Sequence, residues 1–133
     1  MQVVLVDTSV WINVFKGIET PASLFLKNNN QNIIVATCPS IVQETLQGVV
    51  SAAQFTEINN YFFQTINLRA HSYHYAREAA VLYRKLRKRG VTIRKPNDCL
   101  IAIYAIRNDV AILHDDRDFT NIAAFSDLKT VPV

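Results

Sequence analysis

The sequence predicts a single α/β domain in which helices cover both faces of a mainly parallel sheet. Three observations carry that expectation. Short apolar runs alternate with longer segments of helical periodicity, the pattern of strands joined by helical crossovers. The 133 residues suffice for one core, large enough to bury about 70% of the unfolded chain's surface. Half of the residues are hydrophobic, only three are Gly and four Pro, and no stretch reads as a linker, a repeat or a low-complexity tract. One domain spanning residues 1–133 follows.

Val3 to Val6 is the first strand, closed by Asp7, and Thr8 to about Phe15 the first helix. Pro21 to Asn28 is a second helix, stopped by the polar run Asn28 to Asn32, and Ile33 to Ala36 the next strand. Pro39 suits the first turn of a helix carrying Ile41, Val42, Thr45 and Leu46, with Gly48 near its end. Residues 51–63 form another helix and Thr65 to Leu68 a strand. A long helix over residues 71–89 is stopped by Gly90; Ala76, Ala79, Ala80, Tyr83 and Leu86 share its apolar face, leaving Arg77, Arg84, Lys85 and Lys88 to solvent. Pro96 to about Asn108 is nearly all apolar, hence a buried helix. Val110 to Leu113 is a strand, Phe119 to Phe125 a short helix, and Leu128 to Val131 a final strand.

Composition excludes several classes. The longest apolar runs fall far short of a membrane span of about 20 residues, and Asp7 interrupts the amino-terminal run where a signal peptide needs its apolar region. A cytoplasmic protein with no membrane partner is expected. Cys38 and Cys99 do not make a disulfide framework and read as small core residues.

The net charge is only +3, but Arg84, Lys85, Arg87, Lys88, Arg89, Arg94 and Lys95 lie close together with no acid among them. Such a stretch is suited to holding a nucleic-acid backbone. It also suits a solvated helix end, where cations favour the macrodipole.

Four acids stand where chemistry is best placed. Asp7 follows the first strand, at the sheet edge where open α/β folds bind ligands. Glu44, three residues after Ile41, borders an apolar helix face and can reach inward. Asp98 sits in the first turn of the buried helix, where a dipole interaction alone would account for it. Asp116 follows the strand ending at Leu113, within His114-Asp115-Asp116-Arg117-Asp118, where turn formers and caps are also expected. Together they allow one cavity to collect three or four carboxylates, and such a cavity needs a compensating cation. Oxygen ligands without paired His or Cys select Mg²⁺ or Mn²⁺, and magnesium held by a few carboxylates points to phosphodiester chemistry.

The opening Val3 to Ile12, the Glu44 helix, Asp98-Cys99-Leu100-Ile101-Ala102 and Leu113 to Phe119, in that order, resemble a PIN-domain ribonuclease of the VapC toxin type over nearly the whole chain. The resemblance implies a three-layer α/β/α PIN-like fold with a central, mainly parallel sheet. It implies Mg²⁺- or Mn²⁺-dependent endonucleolytic cleavage of RNA by a metal-activated water, leaving a 5′-phosphate and a 3′-hydroxyl. A homodimer and inhibition by a small antitoxin are implied as well. Carried over by motif, Asp7, Glu44, Asp98 and Asp116 match the family acids: Asp7, Asp98 and Asp116 as metal ligands, Glu44 as a ligand or water-orienting group, and Asp118 as a fifth candidate. Ser9 matches a small polar residue beside the first Asp and joins the basic stretch as a candidate RNA contact. His114 departs from the Thr or Ser that many members carry there.

Bland roles compete for the remaining polar and aromatic residues. His114 reads as a packed or solvent-facing side chain, Tyr73 and Tyr75 beside His71 and His74 as core or interface residues, and Trp11 as packing or dimer interface. Two other functional classes stand beside the nuclease reading. A receiver-like phosphoacceptor would want paired acids after the first strand, and Asp7 stands alone. A catalytically silent PIN-like domain that binds nucleic acid or a partner needs the fold but not the chemistry.

Overall fold

A computed structural model describes residues 1–69 and 71–133. The elements are β1 (Gln2–Val6), α1 (Thr8–Lys16), α2 (Pro21–Asn29), β2 (Ile33–Thr37), α3 (Pro39–Gln47), α4 (Ala52–Phe63), β3 (Ile66–Asn67), α5 (Ser72–Lys88), α6 (Asn97–Arg107), β4 (Ala111–Leu113) and α7 (Arg117–Ala124). The four strands form one parallel sheet in the order β3-β2-β1-β4. Val4 lies opposite Val35 on one side and Ala111 on the other.

The order of the strands explains the layers. From β1 the chain steps to β2 and on to β3 in one direction, through α1 to α4, and then returns past β1 to β4 through α5 and α6. Right-handed crossovers running in opposite directions place their helices on opposite faces of the sheet, giving an α/β/α sandwich. Within each set α1 touches α2 and α3, α3 touches α4, and α6 packs against α5, α7 and β4, while α3 and α6 also touch each other, with Asn97 bonded to Glu44 between them. Because both faces are covered, β1 is apolar without alternation, and Val4, Leu5 and Val6 are fully buried. The reversal of direction falls between β1 and β4. That switch point leaves a crevice at the carboxyl ends of the two strands.

Two details differ from what the sequence predicts. The segment Leu128 to Val131 makes a single parallel bridge, Thr130 to Ile112, with Ile112 N–H on Lys129 O (2.9 Å) and Val131 N–H on Ile112 O (2.9 Å). Among the described residues, no ladder extends beyond that bridge. On α5 the buried residues are Ala79, Leu82 and Leu86, whereas Ala76 and Ala80 lie less covered and Tyr83 is half-buried. Leu82 wins the place under the helix because it removes more apolar surface from water than an alanine methyl does.

Both cysteines are core residues, and burial pushes their thiols up to about 12 for Cys38 and about 11 for Cys99, so they stay protonated. Trp11 packs edge-on against Tyr61 and Phe62, and its Nε1–H donates to Val6 O at 3.2 Å, so it belongs to the interior. Among the described residues, no helix is long and apolar enough to cross a membrane.

Candidate active site

Three helix starts bring the acids into the crevice. Asp7 leaves β1, its N–H bonded to Leu113 O of β4 (3.0 Å), and caps α1 by accepting the Ser9 N–H (3.0 Å). Asp116 caps α7 by accepting the Asp118 N–H (2.9 Å), and Asp98 lies in the first turn of α6. Each carboxylate therefore faces the positive end of a helix dipole, which offsets part of the cost of gathering them. Asp7, Asp98, Asp116 and Asp118 are all buried.

One carboxylate oxygen from each of Asp98, Asp116 and Asp118 lies within 4.8 Å of the other two. Asp118, a peripheral candidate by sequence, is thus part of the convergent group, whereas Asp7, expected among the ligands, lies outside it but close enough for its charge to act on Asp98. The Ser9 hydroxyl donates to Asp7 Oδ2 (2.7 Å) and accepts the Asp115 N–H (3.0 Å). With its proton committed to Asp7, Ser9 orients that carboxylate. Glu44 is half-buried on α3, and its Oε1 accepts from Asn97 Nδ2 at 3.1 Å. Thr8 and Thr45, buried with hydroxyls 3.1 Å apart, fix α1 against α3 and so hold Glu44 near the crevice.

Two cations of the basic stretch turn inward. Gly90 follows α5 in the left-handed conformation (φ 79°), Val91 N–H closes the helix on Leu86 O, and buried Ile93 anchors the following loop. The loop then crosses the acids: Arg94 N–H donates to Asp118 Oδ2 (3.1 Å), its guanidinium reaches Asp116 (3.3 Å) and Asp118 (3.5 Å), and Lys95 Nζ lies 3.2 Å from Asp116 Oδ2. Arg94 and Lys95, expected among the RNA contacts, pair here with the acids, their side chains still more than half exposed. Arg84, Lys85, Arg87, Lys88 and Arg89 remain at the solvent-facing end of α5.

Four buried carboxylates thus meet two side-chain cations, leaving two negative charges unmatched when all four ionise. The strain falls on Asp98. Its Oδ2 is buried with no hydrogen-bond partner, and burial pushes its carboxyl up to about 7, with Lys95 opposing the rise and the charges of Asp7, Asp116 and Asp118 adding to it. Burial also raises Asp7 against the Ser9 bonds. At Asp116 burial pushes upward, but the Asp118 N–H and Lys95 outweigh it and hold the carboxyl below its usual range. Burial likewise works against the charge on Lys95, yet the Asp116 bond and the surrounding acids prevail and hold it above its ordinary value. An orphaned, desolvated oxygen beside two other carboxylates, all hard oxygen donors, fits a divalent cation of the magnesium type.

The PIN domain family model matches residues 4–124. The chain belongs to the PIN-domain family. It is 32% identical over 128 residues to VapC ribonuclease Mb1587 of Mycobacterium bovis and to ribonuclease VapC11 of Mycobacterium tuberculosis, covering 95% of this chain and 96% of each relative. Its structure is similar to that of VapBC-1 from nontypeable Haemophilus influenzae (TM-score 0.72, 17% identity, 98% of this chain and 97% of that one). It is also similar to VapBC2 from Rickettsia felis bound to a DNA fragment from their promoter (TM-score 0.69, 17% identity, 98% of both chains). At those identities the structural likeness is one of fold.

In this PIN domain His114 is a packing residue: its Nδ1 accepts the Asp116 N–H (3.2 Å), its ring lies 5.4 Å from Phe119, and burial lowers its pKa against the nearby acids. Tyr75 packs on Tyr104, while Tyr73 is exposed with Arg77 over its ring. Asn97 is the residue that sequence reasoning missed. Its position just before Asp98, in the exposed first turn, was the available signal.

Proposed function

We propose that this PIN domain is an endoribonuclease that hydrolyses RNA with Mg²⁺ or Mn²⁺, the toxin of a toxin–antitoxin pair working in the cytoplasm as a homodimer. The observation that carries the metal-dependent reading is the orphaned Asp98 Oδ2 beside Asp116 and Asp118. The 32% identity to VapC ribonucleases supports the substrate class, and the VapBC assemblies with this fold support a small antitoxin partner.

Asp98, Asp116 and Asp118 would hold the ion, with Asp7 beside them. When bound, it supplies the Lewis acidity that makes water a nucleophile at neutral pH and offsets charge building on the phosphate. The chain's own groups do the positioning. Ser9 keeps Asp7 pointed into the crevice, and Asn97 holds Glu44 where it can accept a proton from the attacking water. Arg94 and Lys95 stand ready to turn from the acids to the scissile phosphate, and the five cations at the end of α5 hold the flanking backbone.

One observation favours the silent alternative: Lys95 and Arg94 lie on the acids where cationic side chains could replace an ion permanently. Incubation with a mixed RNA pool separates the two. Cleavage that requires Mg²⁺ or Mn²⁺ and stops in chelator supports the nuclease; intact RNA at every metal concentration supports the binding domain.

A further inference from the structure

Beside the acids, α5 and the start of α6 enclose an open groove of about 430 Å³. Its walls are Ala76, Ala80 and Tyr83 on one side and Leu100 on the other, with Arg84 and Arg87 at the rim. This is the part of the α5 apolar face that no other described element covers: Ala79, Leu82 and Leu86 are buried, while Ala76 and Ala80 stay open beside a half-buried tyrosine ring. We infer that the groove is a subsite for one nucleobase of the RNA, stacked on Tyr83, next to the phosphate being cut. The inference rests on the ribonuclease reading and names how that site grips its substrate.

Three features select this occupant. First, alanine methyls beside an aromatic ring leave the ring edge and face open to a flat apolar group; single-stranded RNA is commonly gripped by stacking unpaired bases on aromatic rings and guanidinium planes. The Arg87 guanidinium already lies over the Tyr83 ring, 5.7 Å from its centroid, so the slot has both kinds of surface. Second, the charges fit. Among the residues lining the groove the only charged ones are Arg84 and Arg87, which complement the phosphates on either side of an inserted base. Third, the groove adjoins the acids through Asn97, which lines it, donates to Glu44 Oε1 and immediately precedes Asp98. A nucleotide whose base fills the slot therefore presents its phosphate towards the carboxylates. The walls offer few hydrogen-bonding groups, so the subsite senses that a base is present more than which base it is.

The test uses a short RNA that the full-length protein cuts in Mg²⁺, prepared as a series with one abasic nucleotide moved along the strand. For wild type, kcat/KM should fall roughly tenfold when the missing base is at one position flanking the cut, and little elsewhere. Tyr83→Phe should keep that response. Tyr83→Ala should cut the intact RNA roughly tenfold less well and show no further loss at the abasic position. Ala80→Trp fills the slot from an open helix position that tolerates a larger side chain, and it should abolish the response in the same way even if Tyr83→Ala misfolds. Cutting by wild type that ignores the missing base at every position overturns this inference alone. So does an Ala80→Trp protein that becomes monomeric in sedimentation but keeps the abasic response, because the groove would then be a contact between copies of this chain. A wild-type protein that cuts no RNA overturns the ribonuclease reading and the subsite with it.

Discussion

Lys95 Nζ lies 3.2 Å from Asp116 Oδ2, and the same ammonium feels the charges of Asp98 and Asp7. The lysine therefore supplies part of the positive charge that the acid cluster needs before any ion arrives. An incoming divalent cation must displace it or share the acids with it.

Replacing Lys95 by Gln should accordingly destabilise the metal-free protein more than the metal-loaded one. The side chain is more than half exposed, so solvent screening limits the loss in chelator to about 1 kcal/mol or less. In saturating Mg²⁺ the loss should shrink, and the stabilisation gained on adding metal should exceed that of wild type. Thermal melts of both proteins, with chelator and with Mg²⁺, check this; equal losses in the two conditions would mean that Lys95 and the ion do not share the acids.

The pH dependence of the metal-free protein follows from Asp98. Its carboxyl titrates at about 7 in the fold against an ordinary 3.8, so the folded state binds more protons between those values. The stability from this group is fully present below about 3.8 and is lost as pH rises through about 7. Asp7, also raised, acts in the same sense, while Asp116, held low, takes its contribution away only as pH falls below its ordinary value. Melting temperature in chelator should thus fall from about pH 5 to about 8, and Asp98→Asn should flatten that slope. Mg²⁺ should protect increasingly as pH rises, because protons no longer compete for the carboxylates. A melting temperature in chelator that climbs over the same interval would contradict the assignment.

The solvent-facing end of α5 should bind RNA without reading its sequence. Replacing Arg84, Lys85 and Lys88 by Ala should weaken binding to all single-stranded RNAs and flatten the slope of log K against log salt by up to roughly 0.7 for each phosphate ion pair removed. Filter binding across a salt series measures both. An unchanged slope would make these cations a solvated helix end.

Much of this was readable in the chain itself. The strands β1 and β2 and the helix α6 are near-continuous apolar runs, which only a doubly covered sheet and a buried helix accommodate, and Asp7, Asp98 and Asp116 were conspicuous as acids at strand ends and helix starts. The inward turn of Arg94 and Lys95 was not readable, because it depends on Ile93 anchoring the loop; in sequence they merely continue a run of cations. Asp118 was hidden for a similar reason, being one of three acids within four residues, of which only the fold shows that Asp115 holds Asn13 and Thr20 while Asp116 and Asp118 enter the crevice. The α5 face was misplaced by its alanines. A methyl group fits a buried or an exposed position almost equally well, so periodicity alone could not decide which side of the stripe α6 would cover.

The most direct measurement is single-turnover cleavage of an end-labelled RNA as Mn²⁺ is titrated into chelator-treated protein, for wild type and for Asp98→Asn. Wild type should start from no cleavage and rise to saturation with metal. Asp98→Asn should melt at least as high as wild type in chelator, since one of the crowded charges is gone and its new amide can donate to Asp116 or Asp118. It should cut at least about a hundredfold more slowly, with little stabilisation by Mn²⁺. Were Asp98 only a helix-start residue, the substitution would instead cost about 0.3–1 kcal/mol of stability and leave cleavage intact. Wild-type cleavage in chelator, or an Asp98→Asn protein that cuts RNA at the wild-type rate, would contradict the account of Asp98, Asp116 and Asp118 as the metal centre of a ribonuclease.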